Sequence, residues 1–166
     1  MPALRRDRPS SHPPMTFVVD CMLGKAAKWL KILGFDTLFF PFAEDSALLE
    51  IALGEGRTLL TRDHALAARA RTRGAACLLV ESEVWEEQIR QVLARFDLSA
   101  AARPFSRCVE CNVPLSPLSR ENAANLVAPF VLERGRDFSL CPSCGRVFWR
   151  GTHRADMEAK VAALLI

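Results

Sequence analysis

Four times between Thr16 and Phe96 the chain repeats one order: a short apolar run, then an acid, then a helical pattern. In the first unit Phe17-Val18-Val19 ends in Asp20. After a turn through Leu23-Gly24, a helix over Lys25 to Leu33 puts Ala26, Trp29, Leu30 and Leu33 on one face, and Gly34 stops it. In the second, a strand from Phe35 to Phe40 is closed by Pro41, and Asp45 lies at the start of a helix carrying Leu48, Leu49, Ile51 and Ala52. In the third, Arg57 to Thr61 leads to Asp63 and to the Ala- and Arg-rich HALAARARTR, stopped by Gly74. In the fourth, Ala76 to Val80 leads to Glu81 and Glu83, and Trp85, Ile89, Val92, Leu93 and Phe96 mark the helix. Strand-then-helix units in succession predict an α/β fold, a mainly parallel sheet joined by right-handed crossovers. In such a sheet every carboxyl end points the same way, so Asp20, Asp45, Asp63 and Glu81 or Glu83 are expected along one rim, where α/β proteins place their chemistry. Taken singly, each acid reads equally well as a helix cap or turn residue.

With 166 residues, half of them apolar, the chain can bury one core and a small satellite. No apolar run approaches the roughly 20 residues that span a bilayer, and residues 1–15 lack the apolar centre of a secretory leader. The expectation is a soluble, cytoplasmic protein with a disordered tail over 1–15, Met15 being the working start. The net charge of +3 divides into +2 over residues 1–15, zero over 16–107 (12 basic, 12 acidic) and +1 over 108–166 (seven basic, six acidic). A case for nucleic acid must therefore rest on local patches. Lys25, Lys28 and Lys31 recur every three residues on the first helix, and Arg69, Arg71 and Arg73 crowd the third; both read as solvated faces.

Four of the six cysteines form two Cys-x-x-Cys pairs, Cys108/Cys111 and Cys141/Cys144, separated by 29 residues. Two such turns offer four thiolates to one tetrahedral metal, and Pro142 and Gly145 suit a knuckle, so a closed, structural Zn²⁺ site is expected rather than a redox pair. Cys77 reads as a small core residue; Cys21 has no evident partner. The expected divisions are the sheet domain over 16–98, a linker over 99–107, the ribbon over 108–151, and a helix over 152–166 docking on the sheet domain through Met157, Val161, Leu164 and Leu165. Inside the ribbon one short helix is expected from Ser119 through Val127, stopped by Pro129. Phe148 to His153 reads either as an aromatic-basic nucleic-acid surface or as a strand and turn under the knuckle, with the second favoured.

The runs FVVDCMLGKAAKWLKILGFDT and LLTRDHAL, with a ribbon closing in CPSCGRVFWRGTH, together resemble the Mut-seven carboxy-terminal ribonuclease family, PIN-like domains with a zinc ribbon. The resemblance covers residues 16 to 160. It implies a PIN-like three-layer fold that binds Mg²⁺ or Mn²⁺ and hydrolyses RNA, its acids falling on Asp20, Asp45 and Asp63, with Glu81 or Glu83 approximating the fourth. The residues suit that chemistry: carboxylates bind hard cations, such ions activate water and neutralise phosphate charge, and Lys25, Lys28 and Arg62 can hold flanking phosphates. A non-catalytic RNA- or ribosome-binding module, with the acids as caps, is the alternative. A phosphoacceptor using Asp20 is disfavoured, since no Asp-x-Asp follows the first strand.

Overall fold

All four apolar runs become strands, and they pair in parallel. The computed structural model describes residues 15–166; the tail expected over residues 1–15 lies outside the described residues apart from Met15. β1 (Thr16–Val19), β2 (Asp36–Phe39), β3 (Thr58–Thr61) and β4 (Cys77–Leu79) stand in the order β2-β1-β3-β4. α1 (Gly24–Ile32), α2 (Asp45–Glu55) and α3 (His64–Thr72) make the crossovers, and α4 (Trp85–Phe96) follows β4. Because side chains alternate along a strand, Phe17 and Val19 enter one core with α1 and α4, whereas Val18 enters another with α2 and α3. This is helix on sheet on helix. Both faces of β1 and β3 are covered, which is why Phe17-Val18-Val19 and Leu59-Leu60 are apolar on successive positions instead of alternating with polar residues. Trp29 and Trp85 stack at 4.7 Å and fasten α1 to α4.

Residues 99–107 lie along the end of α1. Arg103 and Phe105 donate their backbone N–H groups to the carbonyls of Leu33 (2.8 Å) and Ile32 (2.7 Å), serving orphan acceptors at that helix terminus. The approach requires Gly34: its φ is +93°, and a Cβ there would stand 2.3 Å from the Arg103 carbonyl oxygen.

The cysteine-bearing segment forms an antiparallel sheet of β5 (Ser116–Pro117), β6 (Arg136–Leu140) and β7 (Val147–Arg150), in the order β5-β6-β7. Where one helix was expected from Ser119 to Val127, there are two, α5 (Arg120–Ala123) and α6 (Pro129–Arg134). Pro129 opens the second instead of only stopping the first. At the first helical position its missing N–H is not needed and its fixed φ is already helical. Among the described residues Ala123, Val131 and Phe138 are the buried members of this small core. Phe148 to Arg150 lie within β7, in agreement with the strand reading. α7 (Thr152–Leu164) returns to the first domain, burying Val161 and Leu164 in the core shared by α1 and α4, with Met157 and Leu165 packed against it. Among the described residues no helix is long and apolar enough to cross a membrane.

The lysine stripe departs from expectation. Lys31 is 8% exposed, not solvated. Burial lowers its pKa, and the charges of Glu110, Cys108 and Cys111 pull the other way.

Candidate active-site rim and metal centre

β1 and β3 are neighbours with Val19 level with Leu60, so the residues that follow, Asp20 and Thr61, are level too. The Asp20 N–H continues the ladder to the Leu60 carbonyl at 3.0 Å. The Thr61 hydroxyl donates to Asp20 Oδ2 at 2.8 Å and accepts the Asp63 N–H at 2.9 Å. Asp63 Oδ1 in turn accepts the Leu66 N–H at 2.9 Å, capping α3. A hydrogen-bonded line thus joins Asp63, Thr61 and Asp20. Asp20 is 4% exposed and Thr61 fully buried, so this carboxylate is held in one orientation by a partner that cannot drift into water. Its Oδ1 accepts from no N–H or O–H among the described residues. Thr61 carries no signal of this role in the sequence, where it is one β-branched residue in a β-prone run. Only the pairing of β1 with β3 turns it toward Asp20.

The same acid acts on its exposed neighbour Cys21: hydrogen bonding to Asp20 pushes the thiol pKa up, with burial and the charges of Asp20 and Asp45 adding in the same direction.

The remaining acids of the rim are differently engaged. Asp45, in the first turn of α2, accepts from Arg69 at 2.7 Å in a pair about half exposed on both sides. Glu83 meets Arg62 at 3.2 Å, while Arg62 Nε is buried with no hydrogen-bond partner among the described residues. The backbone N–H of Glu81 is taken by Gln91 at 3.2 Å. All follow strand ends on one side of a parallel sheet, yet no three carboxylates converge: among the described residues, the one group of three or more ligand side chains within 4.8 Å of one another is the four cysteines. Asp20 and Asp63 are brought together through Thr61; Asp45, Glu81 and Glu83 are not. By donor type the rim suits a hard cation, which takes oxygen ligands. Of the candidate phosphate binders, Lys25 holds its Nζ 4.9 Å over the Trp85 ring, Arg62 faces Glu83, and Lys28 opens onto a cavity on the ribbon side of α1.

The two cysteine turns are built alike. In the first, Cys108 N–H donates to the Val113 carbonyl, Asn112 N–H to the Cys108 carbonyl, and Cys111 N–H to Cys108 Sγ at 3.4 Å. In the second, Cys141, Gly145 and Cys144 repeat the pattern, the last at 3.4 Å to Cys141 Sγ. Each turn ends in a left-handed residue, Asn112 (φ 62°) and Gly145 (φ 72°). Burial would raise the Cys141 thiol, but the N–H groups of Cys144 and Ser143 outweigh it and bring the thiol down to about 7. Four converging sulfurs supported by N–H donors could hold a metal such as zinc, and four thiolates would leave it no open position.

Asn112 does more than finish a turn. Its Nδ2 donates to Asp36 Oδ1 at 2.7 Å and its Oδ1 accepts the Thr37 N–H at 2.9 Å, so the knuckle is clipped to the outer side of edge strand β2. Arg57 also donates to Asp36 at 2.7 Å. Burial alone would raise the Asp36 carboxyl, but the hydrogen bonds from Arg57 and Asn112 prevail and hold it below its usual range.

No curated protein and no solved structure matches this chain. A family model does: that of the Mut7-C RNAse domain matches residues 15–161, from the start of β1 into α7, so that sheet, rim and cysteine ribbon fall inside one match. This points to a ribonuclease-type function and an RNA substrate, and the chain belongs to the Mut7-C RNAse domain family.

Proposed function

We propose that the chain is a PIN-like ribonuclease that hydrolyses RNA phosphodiester bonds at the acid rim with Mg²⁺ or Mn²⁺, and that its ribbon carries one structural Zn²⁺. The observation that carries the reading is Asp20: a buried carboxylate at the end of a central strand, oriented by the Thr61 hydroxyl and tied through it to Asp63. A divalent ion held there would activate water and neutralise charge on the phosphate and the leaving oxygen. Asp20 is the central ligand, and Asp63, tied to it through Thr61, the second. Asp45 is the third, and its half-exposed pair with Arg69 is no obstacle, since such pairs contribute about 0.2–1 kcal/mol. Glu83 or Glu81 serves as the fourth acid. Lys25, Lys28 and Arg62 hold flanking phosphates, and Arg62, whose buried Nε has no hydrogen-bond partner among the described residues, is the one already short of an acceptor.

A second reading, a non-catalytic RNA- or ribosome-binding module, draws on the cap that Asp63 makes for α3. Cleavage of an RNA panel separates the two. The chain with Mn²⁺ should cleave RNA, and Asp20→Asn should reduce cleavage to background while RNA binding persists. Undiminished cleavage by Asp20→Asn, or none by the unaltered chain, would favour the binding module.

A further inference from the structure

A cavity of about 970 Å³ opens where α1, residues 105–109, the ribbon and the first turn of α7 meet. Its wall is charged in one sense only. Six Lys and Arg residues and His153 line it, and no Asp or Glu does, although residues 16–166 as a whole carry 19 basic and 18 acidic side chains. Some of these cations are engaged within the chain, Arg150 and Arg154 with Glu158. Lys28, Arg134 and Arg136 have no carboxylate partner among the described residues.

The same wall presents aromatic rings to solvent. Phe130 is 63% exposed and Trp149 39%. Trp149 is not loose: its pyrrole edge rests on two glycines, where an added Cβ would stand 3.0 Å (Gly135) and 3.3 Å (Gly151) from ring atoms. Such a ring is a flat surface fixed in advance. Exposed apolar rings cost hydration unless something covers them, and unpaired cations beside them require that the cover be anionic. A single-stranded polynucleotide meets both demands, because every base has a face to stack and every linkage a negative charge. A duplex does not, since its bases are already stacked and paired.

We infer that this cleft binds single-stranded RNA, with bases stacked on Phe130 and Trp149 and phosphates on Lys28, Arg134 and Arg136. The inference rests on RNA being the substrate and adds where the strand is held. α1 is the wall common to both sites: it starts four residues after Asp20, and Lys28 lies about 6 Å along its axis from Gly24. A strand leaving the cleft along α1 therefore runs toward the acid rim.

The test uses the full chain carrying Asp20→Asn, so that binding is read apart from cleavage, with a fluorescent 12-nucleotide oligouridylate and anisotropy at several salt concentrations. Phe130→Ala, at an exposed position, should weaken binding about tenfold, as loss of one stacked base does. Arg136→Gln should make the dependence of log affinity on log salt shallower by about 0.7. Trp149→Phe should retain most of the affinity that Trp149→Ala loses, and an RNA duplex should bind more weakly than the single strand. Unchanged affinity and salt slope in Phe130→Ala and Arg136→Gln, while the unaltered chain still cleaves RNA, would overturn the cleft and leave the ribonuclease reading intact. Cleft-dependent binding by a chain that cleaves nothing would do the reverse. No binding of any oligonucleotide would also overturn the inference and leave the cleft to a protein partner.

Discussion

At the rim, a hydroxyl that the strand pattern cannot single out governs the acid that it can. Thr61 satisfies Asp20 Oδ2 and the Asp63 N–H at once, both inside the protein. Thr61→Val keeps the shape and removes both bonds, leaving a buried carboxylate oxygen and a backbone donor unserved, so it should destabilise the fold by about 1–3 kcal/mol. It should also weaken Mg²⁺ or Mn²⁺ binding roughly 10- to 100-fold, as removal of a partner that orients a ligand does. Thermal melts with and without the ion check both effects; an unchanged melting temperature would mean that Thr61 is only packing. Asp20 itself was legible, because an acid ending an apolar run is a local pattern. Its partner 41 residues away was not.

The elements were legible where one rule governed them and less so where two competed. The period of the helix face placed α1 and α4 to within a residue or two, since each buries one stripe on the sheet, and the Ala-rich composition with Gly74 as its stop placed α3 as closely. Pro129 was ambiguous, because the same ring that cannot continue one helix is well suited to begin another. Asp63 sits under two roles in the same way, capping α3 and standing in the line to Asp20. The two substitutions that separate them act on different groups. Asn caps as well as Asp, so without divalent ions Asp63→Asn should melt at or above the parent, relieved of repulsion between acids. Asp63→Ala should melt lower by about 0.5–2 kcal/mol of stability, having lost the bond from Leu66. Both should lose the stabilisation that Mg²⁺ confers. Equal melting of the two variants would remove the cap from the account.

Across the whole molecule the ribbon is coupled to the sheet through the residue after its second cysteine. Asn112 takes its left-handed conformation as part of the first knuckle and from there holds the Thr37 N–H of β2. Besides its cysteines, the ribbon's own core has only three buried apolar side chains among the described residues, too few to order the segment without its cysteines engaged. The purified chain should therefore contain about one zinc, and chelation should expose the Thr37 amide to hydrogen exchange while amides of β1 and β3 stay protected. Exchange at Thr37 that ignores chelation would show that the clasp stands without the knuckle.

The sequence by itself determined what lies within one element's reach: strand runs with acids at their ends, helix stripes, the close pairs of cysteines and Gly34 at its turn. Each is a local pattern, and local patterns state which face an element buries. They do not state which neighbour it meets. Only the tertiary structure decided that Thr61 holds Asp20, that Asp45 turns to Arg69 24 residues on, and that Asn112 reaches Asp36 across 76 residues. It likewise turned an apparently solvated Lys31 into a buried one and gathered Lys28, Arg134 and Arg136 with Phe130 and Trp149 around one cleft. Strand order and the docking of the ribbon set those distances, and both are settled by the packing of whole faces, in which no single residue type carries the instruction.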